Sequence, residues 1–328
     1  MATEERVLSG FRPSGPLHIG HLVGALHNWV SLQNRYRCFY AICDWHALTS
    51  EYAQTEHLRE HVHQMALDWL AAGLDPERAT LFVQSSVKEH AELHLLLSMI
   101  VPLGWLERVP TYKEQQQQMT GRDLTNYGFL GYPVLQTADI LAYKARWVPV
   151  GEDQISHLEL CREIARRFNG LYGNVFPEPQ SLTTRVPRLP GTDGRKMSKS
   201  YNNAVYLSDP DEEVRRKILT MVTDPARIRR SDPGNPEVCP VFTLHKAFSS
   251  QATLDTVNLE CRRAGIGCID CKKMFLEHLS PVLSPLHENR ETLARDSGRV
   301  RDILEAGAEK ARKVASATLG EVRDALRI

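Results

Sequence analysis

Over roughly its first 185 residues the chain alternates short β-branched or apolar runs with longer stretches of helical periodicity. The runs are Arg6-Val7-Leu8-Ser9, Cys38-Phe39-Tyr40-Ala41-Ile42-Cys43, Leu81-Phe82-Val83-Gln84 and Trp147-Val148-Pro149-Val150. Between them, stretches such as His57 to Ala72 and Ser156 to Phe168 repeat apolar residues every three or four positions, the period of a helix with one buried face. Strands separated by helices predict an α/β fold built on a doubly wound parallel sheet. Ligands of such sheets bind in the loops at the carboxyl ends of the strands. Here those loops are Gly10 to His21, Asp44 to Thr49 and Gly151 to Gln154.

From Asp209 onward the pattern is all-helical, punctuated by Pro and Gly, with breaks expected at Pro233-Gly234-Asn235-Pro236 and at Pro281 to Pro285. Val300 to Leu326, rich in Ala, Arg and Glu, reads as an amphipathic helix. A domain boundary is placed near residue 200.

Composition narrows the class. In 328 residues, 42% hydrophobic and 24% charged, there is apolar material for a sizeable core, which excludes disordered and disulfide-scaffold proteins. The longest mostly apolar stretch, Leu93 to Leu106, is interrupted by His94, Ser98, Pro102 and Gly104 and is too short to span a bilayer. The acidic start, Met1 to Arg6, is unlike a signal peptide, so a cytoplasmic protein with no membrane partner is expected. Forty basic residues balance forty acidic ones, and one local basic stretch stands out, Arg215 to Arg230. Seven cysteines in an intracellular chain are expected to be thiols or metal ligands rather than disulfides.

The candidate chemistry starts at the first strand. Gly10-Phe11-Arg12-Pro13-Ser14-Gly15-Pro16-Leu17-His18-Ile19-Gly20-His21 turns through Gly and Pro into a helix that should run to about Leu32. Free N–H groups and the dipole at a helix start attract anions, and two imidazoles in that turn add donors for charge developing on a phosphate. Gly20 would let a flat base come close to the backbone. About 180 residues on, Pro190 to Ser200 forms a turn-rich loop with Lys196 and Lys199 as point charges for phosphate oxygens, able to close and reopen.

His18-Ile19-Gly20-His21 paired with Lys196-Met197-Ser198-Lys199-Ser200 resembles the double signature of class I aminoacyl-tRNA synthetases. Within that class the chain resembles the tryptophanyl family, through Gly10 to Gly15, Asp44-Trp45-His46-Ala47, Ala138-Asp139-Ile140-Leu141 and Val148 to Gln154 in order. Tyrosyl enzymes, the nearest relatives, usually carry Gly-Ser-Asp-Gln where Gly151-Glu152-Asp153-Gln154 stands.

The resemblance implies a Rossmann-type catalytic domain over residues 1–200, and a helical tRNA anticodon-binding domain over 201–328. It implies activation of L-tryptophan by ATP, accompanied by Mg2+, then transfer to tRNA(Trp), by a homodimer. ATP contacts map to Arg12, Pro13, Ser14, Gly20 and His21, to Gly151, Glu152 and Asp153, to Val186, and to Lys196, Met197, Ser198, Lys199 and Ser200. Catalysis falls to His18, His21, Lys196 and Lys199, through positioning and charge stabilisation. The tryptophan pocket maps to Asp139, with Tyr132, Gln136, Val150, Gln154 and His46 around it. A carboxylate in so apolar a stretch needs a partner, and the indole N–H is the one expected. Arg12 and Gln136 stand where the bacillary form has Gln and Met.

Cys239, Cys261, Cys268 and Cys271 are spaced Cys-x21-Cys-x6-Cys-x2-Cys. Four thiols in this pattern suit zinc or an iron–sulfur cluster. The pattern resembles a subset of tryptophanyl enzymes with a C-terminal [4Fe-4S] cluster, which is therefore expected, with zinc as the alternative. Arg262-Arg263 and Lys272-Lys273 flank the cysteines and suggest RNA contact. Two rival readings are a small-molecule adenylyltransferase, which lacks the lysine loop, and a retired RNA-binding paralogue, which intact His18, His21, Lys196 and Lys199 argue against.

Overall fold

The computed structural model describes residues 5–109, 124–151, 154–183 and 188–328. Five parallel strands, β1 (Arg6–Phe11), β2 (Arg37–Ile42), β3 (Ala79–Val83), β4 (Trp147–Val150) and β5 (Gln180–Thr183), form one sheet in the order β3-β2-β1-β4-β5. The order reverses between β1 and β4, so the crevice where ligands bind such sheets lies at their carboxyl ends.

Side-chain alternation builds the core on both faces. Val7, Tyr40, Ile42 and Leu81 point to one side, and Leu8, Phe39, Ala41 and Phe82 to the other, all buried. On the first side the core continues into Phe275, Leu279, Leu283 and Leu286, and on the second into Ala308, Ala311 and Ala315. The hydrophobic interior thus extends across residue 200.

The helices are α1 (Ile19–His21), α2 (His27–Leu32), α3 (Asp44–Glu51), α4 (Leu58–Ala71), α5 (Glu89–Ser98), α6 (Leu103–Glu107), α7 (Tyr127–Ala142), α8 (Ile155–Tyr172), α9 (Asp211–Thr220), α10 (Pro240–Phe248), α11 (Gln251–Arg262), α12 (Cys268–Ala294) and α13 (Ser297–Leu326). The helix expected to reach Leu32 does so, with a π-helical stretch over Leu22–Leu26 between α1 and α2.

The break expected at Pro281 to Pro285 is absent: α12 runs through both prolines. They sit four apart on the exposed side, while Phe275, Leu276, Leu279, Leu283 and Leu286 are buried on the other. A proline inside a helix costs about 3 kcal/mol, and this buried stripe outweighs it.

Candidate active site

The loop after β1 folds back on itself through its histidines. The backbone N–H of Gly20 donates to His18 Nδ1 at 3.1 Å, and that of His18 donates to His21 Nδ1 at 3.1 Å. Each ring therefore uses Nδ1 as an acceptor, and each neutral imidazole carries its proton on Nε2. Burial, reinforced by Lys199 and Lys196, lowers the His18 pKa to about 4. Burial, with His18 and the same lysines, holds His21 well below its ordinary value. Near neutral pH the pair is thus a set of two uncharged N–H donors.

The two rings are 3.7 Å apart between centroids. A Cβ on Gly20 would come within 2.9 Å of the His18 ring, so the close approach this glycine permits is that of the neighbouring imidazole.

The lysine loop is joined to this turn. Lys199 Nζ donates to the Gly15 carbonyl at 2.8 Å and lies 3.5 Å from Ser14 Oγ. Burial lowers its pKa to about 8, against the attraction of Glu51 and Asp68. Asn203 braces the loop from inside, accepting from the Ser198 N–H at 2.8 Å and donating to Asp193 and to the Lys196 carbonyl. Met197 is buried, with its N–H on the Leu189 carbonyl, while Lys196 and Ser200 are exposed. The chain leaving the loop is stitched to the histidine turn by Ile19 N to Val205 O at 3.0 Å and Leu207 N to Leu17 O at 2.9 Å.

Arg12 is exposed and Pro13 buried, and beside Ser14 a cavity of about 460 Å³ is lined by Glu51, Thr55, His57 and His61. Gly151 lies in the crevice beyond β4. Glu152, Asp153 and Val186 lie outside the described residues.

Across the crevice, Asp139 is buried at 4% exposure in a shell of donors. His46 Nε2 is 2.7 Å from Oδ2, His90 Nδ1 is 2.5 Å from Oδ1, and Gln84 Nε2 donates to both oxygens at 2.8 and 2.9 Å. Burial would push this carboxyl's pKa up, but attraction from His90 and hydrogen bonds from His46 and His90 hold it well below the ordinary carboxylate range. About four lone-pair positions surround a carboxylate, and these four contacts occupy them, so a further N–H would take the place of one arm of the shared Gln84 amide.

His46 was expected here; His90 and Gln84 were not. Gln84 follows β3 immediately, a polar residue at the mouth of the crevice, and that position was the available signal. His90 lies in the first turn of α5 with no motif around it. Tyr132 and Gln154 are brought together through His157: the Tyr132 hydroxyl is 3.0 Å from His157 Nε2, and His157 Nδ1 is 3.0 Å from Gln154 Oε1. Gln136 is half-buried one turn before Asp139 on α7, and Val150 is buried at the end of β4.

In the helical half, Cys268 opens α12 with Cys271 in its first turn, and Cys239 caps α10. All four thiols are free, and each of the other three adds to the upward pressure on Cys271, which burial chiefly raises to about 12. Arg227 Nη1 is 3.8 Å from Cys261 Sγ. Among the described residues, no three His, Cys, Asp or Glu side chains form a ready-made metal-holding group. The basic stretch is only partly a surface feature: Arg227 is buried and bonded to the Arg230 and Ile266 carbonyls, and Lys217 pairs with Asp209. Lys272 also turns inward, donating to the Leu219 and Met221 carbonyls, and so is not available to RNA.

The family "tRNA synthetases class I (W and Y)" matches residues 2–284. The chain is 55% identical to a tryptophan–tRNA ligase of Thermotoga maritima, covering 98% of this chain and 99% of that one. It is 43% identical to one of Aquifex aeolicus, covering 98% and 100%. In structure it is similar to a tryptophanyl-tRNA synthetase from Campylobacter jejuni complexed with ADP and tryptophan, at TM-score 0.89 and 34% identity, covering 98% and 100%.

Proposed function

The chain belongs to the class I tRNA synthetases of the tryptophan and tyrosine family and ligates tryptophan to tRNA with ATP, and from that premise we propose how its residues divide the work. The carrying observation is the seating of Lys199 on the Gly15 carbonyl, which joins the lysine loop to the histidine turn at the switch point of the sheet.

In the activation step a tryptophan carboxylate oxygen forms a bond to the α-phosphorus of ATP as the bond to the bridging oxygen breaks and pyrophosphate leaves. His18 and His21 donate neutral Nε2–H groups to the phosphate oxygens. Lys196 and Lys199 supply the full positive charges that the growing charge on pyrophosphate needs. Arg12, Pro13, Ser14, Gly20, Gly151, Glu152, Asp153, Val186, Met197, Ser198 and Ser200 complete the ATP site, and Mg2+ accompanies the triphosphate.

Asp139 accepts the indole N–H in place of one arm of the shared Gln84 amide, with Tyr132, Gln136, Val150 and Gln154 shaping the pocket and His46 setting the carboxylate. An amino acid without that N–H has no donor to offer this carboxylate, so phenylalanine is rejected. The terminal ribose hydroxyl of tRNA then attacks the adenylate carbonyl and displaces AMP. ATP–pyrophosphate exchange against all twenty amino acids tests the reading, and exchange with tyrosine but not tryptophan would overturn the assignment to Asp139.

Residues 201–328 form the domain that meets the tRNA anticodon, with exposed Arg229, Arg230, Arg262 and Arg263 facing phosphates. The cysteine spacing supports a [4Fe-4S] cluster held by Cys239, Cys261, Cys268 and Cys271. Two helix starts and the Arg227 guanidinium meet at these thiols, and both favour the anionic sulfurs such a cluster carries. Its role is structural, fixing the loops that meet RNA. Anaerobically purified protein should be brown and carry about four irons per chain, whereas one zinc and no colour would favour the alternative.

Leu95 on α5, Met99 just past its end, Leu103 on α6 and Tyr127 on α7 are more than half exposed and apolar, and this face suits a homodimer. No described helix is long and apolar enough to cross a membrane, and the enzyme's place is the cytoplasm with its tRNA.

A further inference from the structure

Asp68 on α4 is wholly out of solvent. Its Oδ1 accepts from Arg290 Nε at 2.8 Å and its Oδ2 from the backbone N–H of Leu17 at 3.4 Å. Arg290 also donates to Gln64 Oε1. The three partners come from distant parts of the chain: α4 under the sheet, the far end of the long helix α12, and the residue just before His18.

A buried ion pair is a poor device for stability alone, since desolvation consumes much of the attraction and an apolar pair of similar volume often does as well. What an apolar pair would lack is a hold on the Leu17 amide and a negative field at the lysine loop. Asp68 supplies both. It draws on Lys199, and Lys199 and Arg290 in turn oppose the upward push of burial on its carboxyl. Leu17 is fixed on its other side too, its carbonyl accepting from Leu207 N, so its amide and carbonyl set where the histidine turn begins.

We propose that Asp68 and Arg290 are positioning residues for adenylate formation: through the Leu17 amide the pair sets the His18–His21 turn in register with the helical half of the chain, so the phosphate donors are aligned when α12 is seated on α4. The inference rests on the reading of His18 and His21 as phosphate donors. It assigns the guanidinium of one domain to the geometry of the other's active site.

The test compares Arg290→Met, Arg290→Lys and Asp68→Asn with the parent protein. Hydrogen–deuterium exchange of the segment from Ser14 to Leu22 should speed up by about tenfold or more in Arg290→Met, as expected for a local opening that lost its anchor. The kcat of ATP–pyrophosphate exchange, counted per active site by the first-turnover burst, should fall about 10- to 100-fold, the scale of an ångström misplacement. The KM for tryptophan should stay within about twofold, because Asp139 is untouched.

Arg290→Lys should recover much of the rate, since an ammonium still reaches Asp68. A lowered melting temperature with unchanged kcat, or unchanged protection at Leu17, would overturn the proposal and leave the pair a structural contact. If Asp68→Asn does not fold, the two Arg290 variants decide the matter alone. Failure of the parent protein to exchange with tryptophan would count against the proposed function, while amide protection at Leu17 would still decide this inference.

Discussion

His90 Nδ1 and Asp139 Oδ1 are 2.5 Å apart in a site closed to solvent, and His90 Nε2 passes the contact on to the Tyr143 hydroxyl at 2.6 Å. The carboxylate proposed to read the indole is therefore held from behind by a histidine on a different helix. His90→Phe removes that donor and leaves the desolvation of Asp139 less opposed, so its pKa moves up. Breaking a buried pair costs about 3–5 kcal/mol at neutral pH.

The pH dependence has a definite sign. In the parent the folded pKa is depressed, so the stability from this carboxylate is present above its unfolded pKa of about 3.9 and is lost as pH falls further. In His90→Phe the buried charge is relieved by protonation, so the deficit relative to the parent should shrink as pH is lowered from 7 towards 4.5. Urea unfolding at the two pH values measures it. A deficit that grows on acidification would show that His90 is not what holds Asp139 ionised.

Lys199 predicts the alkaline limb of activity. With its pKa lowered to about 8, the free enzyme loses this charge well before an ordinary lysine would. The value of kcat/KM for ATP should fall as pH rises through about 8. The limb in kcat should lie higher, because bound triphosphate favours the charged form. Lys199→Arg keeps its charge throughout and should remove the limb while lowering the rate, since the planar guanidinium does not match the ammonium's seat on Gly15. An unchanged limb in that variant would assign the titration to another group.

His18-Ile19-Gly20-His21 pointed to phosphate ligands, but the sequence did not show that both rings are neutral donors. That property comes from backbone N–H groups placed on Nδ1 by the turn, together with burial, and neither is written in His-x-Gly-His. Strands β1 to β4 announce themselves by runs such as Cys38 to Ile42 because both faces of the sheet are covered. The strand β5 did not, since Gln180-Ser181-Leu182-Thr183 is a four-residue edge with one strongly apolar side chain. Pro281 and Pro285 misled because a breaker rule is local, whereas the buried stripe that overrides it is set by packing against α4 and α10. Arg227 and Lys272 misled in the same way: composition shows charge, but only the fold shows which charges turn inward.

The edge strand β3 is covered by α13, and Gly307 makes the approach possible. A Cβ there would lie 1.8 Å from the Leu81 carbonyl oxygen, on backbone that has no side-chain freedom to yield. Gly307→Ala must lift α13 away from the sheet. Overpacking of this kind costs about 1–3 kcal/mol, although alanine in an exposed helix would stabilise it by about 1 kcal/mol over glycine. Chemical denaturation should therefore show net destabilisation, and a gain in stability would mean that α13 does not sit this close in solution.

The apolar face on α5 to α7 gives the last prediction. Leu95, on the same helix that carries His90, and Met99, just past its end, are 53% and 71% exposed. A stable interface removes about 800 Å² per partner from water, and charges at its centre are strongly unfavourable there. Leu95→Asp with Met99→Asp should shift the sedimenting mass from twice 37.1 kDa to a single 37.1 kDa chain. Both residues are exposed, so the monomer should keep its far-UV circular dichroism. Freed from its partner, α5 should hold His90 less firmly against Asp139, and the KM for tryptophan should rise several-fold while that for ATP changes little. A parent protein that sediments as a monomer, or a monomeric variant with unchanged tryptophan KM, would separate this face from the amino-acid site.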